Sequence, residues 1–252
     1  MELKQQIRTR RPAALRPLTT DIFRSYIPDQ SVEYILQWFL EHKVRLRISS
    51  NRLSKSGDYR PSRQHLPPRI SVNNNLNPYD FLITLVHEMA HHDVWRAYVM
   101  PNQLSFFRSR RQAHPKPHGQ EWQHHFRQLM IPLMNTSVFP PDVLYMVENY
   151  FRNSNVSTKF GQHLSRVLKK YDKPDGKEFV ENLPFDALFR LPDGRIFRKK
   201  EKLRKRFRCI LVNNNRVYLF SPLALVFCLT PLPHLQLTVL TPLPPLLEGE
   251  GE

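Results

Sequence analysis

Two histidines four residues apart, with a glutamate directly after the first, stand in the segment His87-Glu88-Met89-Ala90-His91. On a helix, residues i and i+4 lie one above the other, so both imidazoles can converge on one metal ion. A glutamate in the second position reaches a water held by that metal and can take its proton. Zinc brings the pKa of such a water to about 7, so hydroxide becomes available at neutral pH. The pattern therefore predicts one Zn²⁺ ion as cofactor, with His87 and His91 as ligands and Glu88 as general base.

Two histidines and a water leave one zinc position for another protein group. A metzincin-type continuation needs glycine at 94 and histidine at 97. The chain has Val94 and Ala97, which excludes that class. Candidates further on are His114, His118, Glu121, His124 and His125. His118 is favoured because it opens the segment His118-Gly119-Gln120-Glu121-Trp122, where Gly119 removes a side chain beside the metal and allows close backbone approach. His114, in a proline-rich loop, is second choice. His124 and His125 fit a solvated or packed face. His92 follows a ligand directly but points about 100° away on a helix, which makes it a supporting or exposed residue.

These residues need a scaffold. Asn77 can cap a helix, Pro78 suits its first position and Asp80 complements the positive end of its dipole, so a helix is predicted from Pro78 to Tyr98. Its apolar face carries Leu82, Leu85, Val86 and Met89. A second helix is expected from His118 to Met130, anchored by Trp122 and Phe126, with others over Pro141 to Phe151 and Lys159 to Tyr171. Upstream, Val32, Ile35, Leu36, Phe39 and Leu40 recur at helical spacing between Ser31 and Lys43. Val44 to Ser49 alternates apolar and basic residues and reads as a half-exposed strand, with a hairpin partner near Leu53 to Tyr59 and a third strand over Arg69 to Val72. After Pro174 come short strand-like runs separated by Asp193-Gly194 and Asn213-Asn214-Asn215, which predict a small antiparallel sheet between Phe185 and Ser221. From Pro222 onward the prolines oppose regular structure, and Leu229 to Pro233 repeats at Leu240 to Pro244.

The expected organisation is a basic arm over 1–18, a catalytic domain over 19–173, a small basic β module over 174–221 and a disordered tail over 222–252. The fold class is α+β.

The 252 residues carry a formal charge of +16, which points to an acidic partner. The densest basic run, Arg195 to Phe207, holds Arg195, Arg198, Lys199, Lys200, Lys202, Arg204, Lys205 and Arg206 with a single glutamate, interleaved with Ile196, Phe197, Leu203 and Phe207. Spread over a sheet it makes a face for phosphate backbones, although charges also protect exposed strand edges. Arg108, Arg110 and Arg111 add charge to the loop before His118. Two cysteines, Cys209 and Cys228, are too few for a disulfide framework or a four-cysteine zinc ribbon and fit a reducing, cytoplasmic compartment. The charged N-terminus does not read as a secretory signal, and no membrane partner is expected.

The two separate segments, His87 to His91 on one helix and His118 to Trp122 opening the next, resemble the SprT-like metallopeptidase family, to which the Spartan proteases that degrade DNA-crosslinked proteins belong. The resemblance spans roughly Thr20 to Arg152. It implies a compact zincin-like domain of helices and a short three-stranded sheet, zinc on His87, His91 and His118, and Glu88 as the base of a zinc-dependent endopeptidase. A protein substrate is then expected, with DNA as a further partner. Many members carry a cysteine zinc ribbon after the catalytic domain; this chain does not, so DNA binding through a ribbon does not carry over. The competing expectation is a non-enzymatic, zinc-stabilised nucleic-acid-binding protein.

Overall fold

The computed structural model describes residues 19–50, 52, 55–63, 66–100, 115–152 and 158–230. The arm over 1–18, His114 and Arg108, Arg110 and Arg111 of the basic loop, and the end of the tail from 231 lie outside the described residues. The chain divides into two compact units, Met1–Asp172 and Lys173–Glu252.

Among the described residues the first unit holds six α-helices: α1 (Thr20–Arg24), α2 (Asp29–His42), α3 (Pro78–Val94), α4 (Gln120–Met130), α5 (Pro141–Arg152) and α6 (Thr158–Lys169). Three strands, β1 (Arg45–Ser49), β2 (Gly57–Arg60) and β3 (Arg69–Asn73), form a sheet in the order β1-β3-β2. The expected hairpin between the first two strands does not form. β3 inserts between them, parallel to β1 and antiparallel to β2. The burial of β3 explains its place. Ile70, Ser71, Val72 and Asn73 are all buried, as a central strand requires. Its two polar side chains are satisfied by Arg52, which donates to the Asn73 carboxamide oxygen at 2.8 Å and to the Ser71 hydroxyl at 3.3 Å.

α3 is the axis of this unit. Asn77 caps it, its side-chain oxygen accepting from the Tyr79 and Asp80 N–H groups at 3.1 and 3.0 Å. The Asn77 amide then donates to the Leu168 carbonyl at 2.9 Å, tying the start of α3 to α6. Phe81, Leu82, Leu85, Val86, Met89 and Ala90 are fully buried. Burying each large side chain is worth roughly 1.5–3 kcal/mol, which fixes the rotation of α3 about its own axis. The helix does not continue as α-helix to Tyr98: from Trp95 to Val99 it widens into a π turn. α2 also differs in detail. It turns Trp38 inward and leaves Leu40 60% exposed, because Trp38 packs on His42 and His92.

The second unit is a six-stranded antiparallel sheet of β4 (Lys177–Phe179), β5 (Leu188–Arg190), β6 (Ile196–Lys202), β7 (Phe207–Leu211), β8 (Val217–Phe220) and β9 (Leu225–Cys228), in the order β4-β9-β5-β6-β7-β8. Phe189, Phe197 and Val226 are fully buried in its core. The expectation of a disordered tail from Pro222 fails here: β9 lies inside the sheet between β4 and β5. Pro222 precedes this strand and does not interrupt it.

Asp80 supplies a stability test. Burial, then the Asp172 charge, push its carboxyl up to about 6. With the folded value above the unfolded one, the native state holds this proton more tightly, and its contribution is lost as pH rises through about 6. Asp80→Asn is expected to stabilise the chain at pH 7.5 by about 1 kcal/mol, the relief from burial outweighing the lost charge at the helix N-terminus. It should have little effect at pH 4. Urea unfolding at the two pH values checks this.

Candidate metal centre

His87 and His91 project from one side of α3, one helical turn apart. His118 comes from outside any helix. It does not open α4 as expected but precedes it, with a positive φ of 58°. Gly119 is the N-cap, and its N–H donates to the Lys116 carbonyl at 2.8 Å, closing a tight turn. The glycine eases a close approach on the side of the turn: an added Cβ would lie a tight 3.0 Å from the Lys116 carbonyl oxygen. The resulting turn swings the His118 ring over α3.

The three Nε2 atoms form a nearly equilateral triangle, 3.3 Å from His87 to His91, 3.1 Å from His91 to His118 and 3.1 Å from His118 to His87. Tetrahedral zinc with Zn–N bonds of about 2.0–2.1 Å requires its nitrogen ligands about 3.3–3.4 Å apart. The donor set thus fits a metal ion in spacing. It also fits in protonation. Burial, then the neighbouring histidines, push His87 down to about 3 and His91, beside His118, down to about 4, and burial lowers His118 as well. All three rings are neutral at pH 7, the form that binds metal. Among the described residues these are the three side chains that could hold an ion together.

Trp122 is the residue whose role sequence reasoning understated. Its indole is 3% exposed and lies 4.6 Å from the His87 ring, 4.8 Å from His118 and 5.6 Å from His91, centroid to centroid. Its N–H donates to the His87 carbonyl at 3.4 Å. One side chain therefore props all three imidazoles. The sequence offered Trp122 as an anchor of α4 to the core; its contact with the three rings was not legible from spacing, because His118 precedes the helix in a left-handed conformation.

Glu88 is 7% exposed. Burial, then the Asp58 charge, push its carboxyl up to about 7, against the Tyr59 N–H that it accepts and the charges of Lys55 and Arg52. The strand beside it is shaped for it: a Cβ on Gly57 would stand 2.5 Å from the Glu88 Oε1 atom and 2.8 Å from its Cγ. Gly57 is a contributor that sequence reasoning missed, since a lone glycine after Ser56 reads only as a turn. His92 is 3% exposed, so the exposed option for it is excluded. Its Nδ1 pairs with the Tyr59 hydroxyl at 3.2 Å, which pins β2 against α3.

The basic run of the second unit divides. Lys199 does not belong to an outer face. It is 5% exposed, because alternation along β6 turns it inward, where its ammonium donates to the Glu181 and Leu183 carbonyls. Arg198 and Lys200 both pair with Asp186, and Arg195 pairs with Asp193. Lys202, Arg204, Lys205 and Arg206 are exposed around the β6–β7 turn, and among the described residues no carboxylate pairs with them.

Comparison with known proteins gave no matching family model, no matching curated protein and no matching solved structure. Among the described residues, no helix is long and apolar enough to cross a membrane.

The geometry predicts that Trp122→Phe, which keeps an aromatic ring but loses the N–H, weakens binding of a divalent metal ion about 10-fold. His118→Ala should weaken it more, because a ligand is lost outright. Competition with a chromophoric chelator measures both.

Proposed function

We propose that this chain is a zinc-dependent endopeptidase with a zincin-like catalytic domain, in which His87, His91 and His118 hold the metal and Glu88 is the general base. The observation that carries the reading is the buried carboxyl of Glu88 on the ligand-bearing stretch of α3, held by the Tyr59 N–H and accommodated by Gly57. A site that only stabilises a fold has no use for that group, and it closes on four protein ligands; the described residues offer three.

Zinc in such a site supplies Lewis acidity, acidifying a water and polarising a carbonyl. Glu88 then accepts the proton of the attacking water on a carboxylate oxygen and returns it to the amide nitrogen of the leaving strand. The Trp122 indole keeps the three rings in register while charge moves. Peptide is the substrate class that suits the surroundings. β2 is the outer strand of its sheet and touches Glu88 through Gly57, and an extended peptide can add backbone hydrogen bonds to an edge strand. The likeness of the His87 to His91 and His118 to Trp122 segments to SprT-like metallopeptidases supports the same reading. The exposed Lys202, Arg204, Lys205 and Arg206 and the charge of +16 favour DNA as a partner, and hence DNA-associated proteins as substrates.

Purified chain incubated with a DNA-binding protein, with and without DNA, beside Glu88→Gln carrying equal zinc, tests this. Cleavage is expected to be faster with DNA and to fall at least about 100-fold in the variant. No cleavage by either protein, with zinc and DNA both bound, replaces the peptidase with a zinc-stabilised nucleic-acid-binding protein. Gly57→Ala should also lose about 100-fold in kcat through displacement of the carboxylate, with its zinc content unchanged.

A further inference from the structure

A cavity of about 140 Å³ opens among four helices, with His87 of the triad in its wall. Among the described residues, Phe126 and Met130 of α4, Val147 of α5 and Leu164 of α6 line it, and Gly161 of α6 is also part of its wall. The same imidazole that presents Nε2 to His91 and His118 closes one side. The lining is almost wholly carbon. An apolar cavity of about 150 Å³ accommodates a benzene ring, so this one has room for one large aliphatic or aromatic side chain. A charged or amide group placed there would lose its hydrogen bonds to water and gain none.

We propose that this cavity is the specificity pocket of the site: it takes one leucine, methionine or phenylalanine side chain from the residue flanking the scissile bond of a peptide substrate. The proposal rests on the peptidase reading. Its warrant is the shared wall. A side chain seated against His87 holds its own backbone beside the metal ligands, where the bond to be cut must lie. The chain itself supplies the means to test it. Gly161 is exposed, and a Cβ added there meets nothing within 4 Å. A larger side chain at this position can enter the cavity without a backbone clash, and replacing glycine inside a helix also favours folding. Val147, 4% exposed and part of the wall, offers a second way to fill the space from within.

Two measurements on the full chain separate the pocket from the chemistry. In the first, methionine methyl groups are labelled with ¹³C and benzene is titrated in. The Met130 methyl resonance is expected to shift in the wild type and to stay fixed in Gly161→Leu and Val147→Phe. In the second, the zinc-loaded chain meets peptides that differ at one residue beside the cleavage point. Cutting next to leucine, methionine or phenylalanine is expected to exceed cutting next to glycine or aspartate by at least about 10-fold. Gly161→Leu should erase that preference. A benzene-silent Met130, as when the chain's own residues fill the space, overturns the pocket alone. So does cleavage indifferent to the flanking side chain. If no peptide is cut while benzene still moves Met130, the peptidase reading falls and the pocket's role falls with it.

Discussion

The Trp122 indole packs on the rings of His87, His91 and His118 and hydrogen-bonds the His87 carbonyl, and this contact joins a pair of helical histidines to a third. Two histidines at i and i+4 converge by helix geometry alone. The third stands before α4 in a left-handed conformation that a histidine adopts at some cost. Something must hold it there, and the turn closed by Gly119 together with the buried indole does so. Because Trp122 and Phe126 also root α4 in the core, the position of the third ligand is set by the packing of the whole first unit.

The same dependence runs through Glu88. A carboxyl this buried persists because β2 comes close enough to give it the Tyr59 N–H, and β2 comes that close only because residue 57 has no side chain. The Tyr59 hydroxyl on His92 fixes the strand from the other side. Site and fold are thus built from the same contacts: a core that orients α3, a sheet edge shaped to its glutamate and a turn before α4 that brings in the third histidine.

Much of this was legible in the residues themselves. The i, i+4 histidines, the Asn77 cap and the apolar stripe of α3 are local patterns, and local geometry determines what they do. His118 was legible too, though its place before α4 was not, since the reason lies in a contact with Lys116. What escaped was non-local. The insertion of β3 between β1 and β2 depends on Arg52 satisfying two buried polar side chains across the sheet. The inward turn of Lys199 depends on carbonyls at 181 and 183. β9 was hidden by a proline-rich composition that in fact only borders it. Gly57 carries no signal until the atom it makes room for is seen.

X-ray absorption at the zinc edge of the purified full-length chain tests the metal centre most directly. One zinc per chain is predicted, with three imidazole nitrogens at about 2.0–2.1 Å, a fourth ligand that is oxygen, and no sulfur. The imidazole signature should drop by one ring in His118→Ala. A zinc sphere closed by four protein ligands, sulfur among the ligands, or a spectrum indifferent to His118 would contradict the account.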